Sequence, residues 1–191
     1  LAFIRSSLGA SEPEVMLAAA NALALMERAN ATPDLLALFK TTTGDAAARV
    51  ADILLWTIDE HHLDPLAAML DSLQPQAKAA AIRVIGAKGG RRFSGRILPL
   101  TADGNAEIRT AAFGALSGVA RVDDLPALFV LLDGAESGVV ALVQKAIVAA
   151  ANQLIPATTR AEPLVQAIKT SSRPERIVVT GDTEMALAAA F

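Results

Sequence analysis

The chain has 191 residues, 53% of them hydrophobic, 4% aromatic and 19% charged, with a formal net charge of −3. The absence of cysteine excludes disulfides, zinc–thiolate sites, iron–sulfur clusters and a cysteine nucleophile. The mild acidity argues against a general nucleic-acid binder, and no apolar run approaches the ~18 residues of a membrane span. A cysteine-free chain fits oxidising and reducing surroundings alike, so cytoplasmic and periplasmic or secreted locations are not distinguished.

The length suits one domain, which at this size buries roughly two thirds of its unfolded surface. Alanine and leucine, at 41 and 25 residues, make up more than a third of the chain, and both favour helix. Leu1–Leu8 reads as the tail of a helix, and with no initial Met the chain is expected to be a piece of a longer one. Ser11 with Glu14 reads as a capping box for the helix that follows. Along the chain, Ile4, Leu35, Leu66, Ile97 and Leu128 recur at intervals of 31 residues. A second frame begins at residues 15, 48, 77, 108 and 139, each the start of an alanine-rich helix. Breakers separate the two helices of each unit at Gly44-Asp45, Gln74-Pro75, Gly104-Asn105 and Gly134. Pro33, Pro65, Pro126 and Pro163 stand near the start of the shorter helices, where a missing N–H costs little.

These periods predict an all-α chain of antiparallel helical hairpins with a period of about 31 residues. The units fall at about 1–30, 31–61, 62–90, 91–120 and 121–156, followed by an irregular last layer, 157–191. In that layer Ile177-Val178-Val179-Thr180 is β-branched, but Pro174 ahead of it favours a short helix over a strand. The apolar end, Ala186 to Phe191, suits either a cap or a cut through a longer array. A hairpin cannot bury its apolar face alone, so neighbours must stack, and stacking requires small residues where backbones approach. Asp52 stands in one such small-residue slot and is expected at the edge of the core or hydrogen-bonded between helices.

Few residues suggest chemistry. Asp59-Glu60-His61-His62 with Asp64 is the one dense group of potential ligands. It contains the only two histidines, which are adjacent and so diverge by about 100° on a helix. It reads as a surface loop, with no metal and no cofactor expected. Asp123-Asp124 and Asn105 read as helix caps. Six bases and no acid fall between Ser72 and Ala102. Lys78, Lys88, Arg91, Arg92 and Arg96 of that segment form a candidate anion patch, weighed against an ordinary solvated ridge. The Gly86-Ala87-Lys88-Gly89-Gly90 run lacks the spacing of a phosphate loop.

The hairpin period, the pairs Ile108-Arg109 and Ala77-Lys78, and the alanine-rich step after each resemble HEAT repeats, nearest to the short bacterial type related to phycobilin lyases. Met16 and Val140 depart from the basic residue usual there. The resemblance covers about residues 1–170. It implies a right-handed α-α superhelix, or solenoid, whose second helices line a concave side. Counted from the five starts, the wheel puts Trp56, Ile85, Leu116 and Ile147 in the core. It puts Asn21, Arg28, Leu54, His61, Arg83, Arg121 and Lys145 on the face away from it. The expected role is a non-enzymatic scaffold that binds a protein or peptide on that face. A lyase- or chaperone-like ligand holder and a DNA-binding protein are the alternatives, and exposed apolar end layers would allow a homodimer.

Overall fold

The computed structural model describes residues 1–154 and 161–177. The described residues are all-α, without a strand, and they form repeating helix pairs. The helices are α1 (Ala2–Ser7), α2 (Pro13–Glu27), α3 (Thr32–Thr41), α4 (Gly44–Thr57), α5 (Leu63–Ala68) and α6 (Pro75–Ala87). They continue with α7 (Ser94–Ile97), α8 (Ala106–Val119), α9 (Leu125–Gly134), α10 (Val140–Ala151) and α11 (Ala161–Thr170).

The period is visible in the backbone. The 3₁₀ turns Arg28–Ala31, Glu60–His62, Arg91–Phe93 and Val122–Asp124 each lead into a shorter helix, and their last residues are 31 apart. Each shorter helix pairs with the longer one after it, and the longer helices α2, α4, α6, α8 and α10 pack on one another in chain order. Leu35, Leu66, Ile97 and Leu128 are all fully buried, one per pair. Pro13 and Pro75 open α2 and α6, and Pro33 and Pro126 sit in the first turns of α3 and α9. In the fourth pair the shorter helix stops at Ile97, and a 3₁₀ segment, Leu98–Ala102, carries Pro99 near its start. Proline offers no N–H to continue the α-helical ladder there.

The second pair corrects the wheel. Helix α4 follows the 31-residue period from Ala46, not Ala48, so its residues are displaced by two from the expected frame. Leu23, Leu54, Ile85, Leu116 and Ile147 are then equivalent, and all are at most 2% exposed. Leu54 therefore belongs to the core and not to an open face. Trp56, expected in the core, is 49% exposed, and Asp52 is exposed rather than bonded between helices. Gly44, with φ +59, opens α4 at the place that Pro13, Pro75 and Ala106 hold in α2, α6 and α8, so the helix starts keep the 31-residue step.

The closest helix contact is between α6 and α8. A Cβ on Gly86 would lie 2.5 Å from that of Ala115, and one on Gly118 would strike the Gly86 carbonyl. Capping differs in detail from expectation. Asn105 caps α8, its Oδ1 accepting from the N–H groups of Glu107 and Ile108 at 2.9 and 3.2 Å. The Asp124 carboxylate accepts the Arg121 N–H at 2.8 Å. At α2, by contrast, Glu12 occupies the cap position with no side-chain bond, so the Ser11 capping box does not form. Pro174–Arg176 is a single 3₁₀ turn followed by buried Ile177. The rest of the β-branched run, and Ala186 to Phe191, lie outside the described residues.

Candidate binding face on the second helices

One residue per unit marks the outward face of the longer helices: Asn21, Asp52, Arg83, Gly114 and Lys145, spaced 31 apart and all exposed. Each lies two residues before a buried member of the core row, so a fixed helical angle separates face from core. Asn21, Arg83 and Lys145, candidates from the sequence, are exposed. Asp52 is the member the slipped frame missed, and the constant 31-residue step was the signal that could have found it. Arg28, His61 and Arg121 are exposed but lie in the turns leaving the second helices. Arg28 has φ 53 there, a conformation uncommon outside glycine.

Two clefts cut into this face. Between α2 and α4, a cleft of about 450 Å³ is lined by Glu14, Leu17, Ala18, Asn21, Arg49, Asp52, Ile53 and Trp56. Arg49 and Glu14 face each other across it at 3.6 Å. Across α4, α6 and α8, a second cleft of about 520 Å³ holds Arg83 with Asp45, Gln76, Glu107 and Thr110. Asp52, Arg83 and Lys145 form no ion pair among the described residues. His61 and Arg121 line neither cleft.

The basic segment has a different role from the one its composition suggests. The Arg92 guanidinium donates to both carboxylate oxygens of Asp64 at 3.1 and 3.0 Å, and to the Glu60 carboxylate and carbonyl at 3.1 and 2.7 Å. It also lies 4.7 Å from the centroid of the Phe93 ring. Arg96 binds Asp71 at 2.5 Å, and Lys78 stands 3.9 Å from Asp103. Only Lys88 and Arg91 of the five are without an ion pair among the described residues. Arg92, Arg96 and Lys78 thus form a seam with acids that lie outside the Ser72–Ala102 window. Arg5 makes the same kind of seam with Asp34 and Glu27, at 2.8 and 2.5 Å.

The histidine cluster is local scaffolding. Asp59 Oδ1 accepts the His62 N–H at 3.1 Å and lies 2.7 Å from His62 Nδ1. The side-chain bond from His62 holds the Asp59 carboxyl below its ordinary range. Among the described residues, no three histidine, aspartate or glutamate side chains converge as metal ligands.

Two apolar surfaces lie elsewhere. An open groove of about 920 Å³ between α9 and α11 is lined by Leu125, Phe129, Val130, Leu154, Pro163 and Ala167 among others. Sequence reasoning missed it, because its walls come from α9 and α11, which are distant in the chain. In the first layer Leu1, Phe3, Leu25 and Met26 are more than half exposed, which puts apolar area at one end of the stack. No helix among the described residues is long and apolar enough to cross a membrane. No protein-family model matches the chain, and no curated protein sequence matches it significantly.

Proposed function

We propose that this chain is a HEAT-like, right-handed helical solenoid whose second helices form a concave face that holds an extended protein segment, without catalysis. The carrying observation is the row Asn21, Asp52, Arg83, Gly114 and Lys145, repeated every 31 residues beside a continuous buried row. A row of exposed polar side chains at one fixed step, interrupted only at Gly114, suits an extended ligand, which repeats its own side chains at a fixed rise. The clefts beside the row supply shallow apolar floors, including Leu17, Ile53 and Ala79. Peptide recognition is favoured over nucleic acid because the outward row sets Asp52 beside Arg83 and Lys145, and because Arg92 and Arg96 of the basic segment are already paired with Asp64, Glu60 and Asp71. It is favoured over a ligand-holding enzyme because Arg83 shares no cleft with His61 or Arg121.

The test is a random-peptide array probed with the purified chain and with the triple variant N21A/R83E/K145E. Binding is expected to fall at least about tenfold in the variant, with an unchanged thermal melt. K88E/R91E, away from the row, should bind like the parent. Equal retention by the triple variant, or equal loss in K88E/R91E, would overturn the proposal.

A further inference from the structure

From the cleft between α2 and α4, we infer that the bound segment carries a lysine or arginine whose charged end sits between Trp56 and Asp52. This rests on the reading of the second-helix face as a peptide site and names the chemistry of one subsite in it. Trp56 is the chain's only tryptophan, and it leaves about half of a large ring in water beside Asp52, one helical turn earlier on α4. At the equivalent step stand Leu25 in α2 and Ala87, Gly118 and Ala149 in α6, α8 and α10, so the aromatic ring is particular to this cleft.

The charges of the cleft do not cancel. Glu14 and Arg49 face each other at 3.6 Å, which leaves the Asp52 carboxylate as the surplus charge. Three kinds of occupant can be compared. An apolar side chain would cover the indole but strip water from Asp52 without replacing its hydrogen bonds. An acidic one would be repelled by it. A lysine or arginine satisfies both groups: its cation attracts the indole and bonds the carboxylate, while its stem lies on Leu17 and Ile53. The surroundings agree, since residues 1–60 hold eight acids against four bases, a field that draws cations towards this end. Asn21, on the facing helix, offers an amide for the ligand backbone.

Because the chain has no tyrosine and one tryptophan, its indole emission reports on this cleft alone. The probes are end-blocked alanine–serine decapeptides with one central lysine, arginine, glutamate or leucine, titrated into the whole chain. Amide NMR shifts are followed in parallel at Arg83 and Lys145. Lysine and arginine peptides should change Trp56 emission saturably, and D52N should weaken them about tenfold with an unchanged melt. W56F should retain the Arg83 shifts while weakening the lysine peptide. If leucine or glutamate peptides act equally, or D52N binds as tightly, the inference fails. Shifts at Arg83 and Lys145 with no Trp56 response would sink the basic subsite and leave the peptide face standing. No response at either place would overturn both.

Discussion

Gly86 and Gly118 set how closely α6 and α8 approach, and alanine on either would meet another helix. At Gly118 the obstacle is the Gly86 backbone carbonyl, which cannot rotate away. Gly114, one turn earlier in α8, has nothing within 4 Å of where a Cβ would stand. Gly118→Ala is therefore expected to lower stability by about 2 kcal/mol, the cost of overpacking less the helix preference of alanine. Gly114→Ala should raise it by about 0.5–1 kcal/mol. Urea denaturation of the two variants decides the matter, and equal signs would mean that the helices part easily. The two glycines look alike in the sequence, and only the neighbouring helix tells them apart.

Among the elements, the turn that leaves α11 is tied to α9 through the Asp133 carboxylate. Asp133, at the end of α9, accepts from Ser171 Oγ at 2.5 Å and from the Ser172 N–H at 3.1 Å. The Ser171 hydroxyl chiefly, then the Ser172 N–H, holds the Asp133 carboxyl below its usual range. A lowered folded value means that this contact stabilises fully above the unfolded aspartate value of about 3.9, and is lost as pH falls through the lower folded value. Carbon-detected NMR should show Asp133 titrating below the ordinary aspartate value of about 3.9, and Ser171→Ala should move it back towards that value. An unmoved titration in Ser171→Ala would deny the hydroxyl its role. The partner serines lie 38 and 39 residues away, so nothing local in the sequence pointed to them.

For the whole molecule, the buried rows hold the stack together. Leu66 and Leu128 occupy equivalent places in different pairs, both fully buried. Truncation of either to alanine should cost about 2–5 kcal/mol, read from denaturant midpoints, because neither site can collapse without moving two helices. A cost below 1 kcal/mol at either would mean that the equivalence is formal only. The ion pairs of Arg5, Arg92 and Arg96 are exposed and contribute far less each, but they hold neighbouring pairs in register.

Periodicity carried the helix class, the 31-residue step and the buried row of Leu35, Leu66, Ile97 and Leu128, because burial on one helical side repeats with the unit. The same angle pointed to Asn21, Arg83 and Lys145, which are exposed. The slip at α4 put Leu54 and Trp56 on the wrong sides, since the frame was begun at Ala48, two residues past the place that the 31-residue step gives. Composition suggested a basic patch at Arg92 and Arg96, and the tertiary structure turned it into a seam by bringing up acids from the preceding pair. A residue's helical angle is set by its own segment, but its charge partners and the space beside it are set by neighbouring helices. The first could therefore be read from the chain alone, and the second only from the fold.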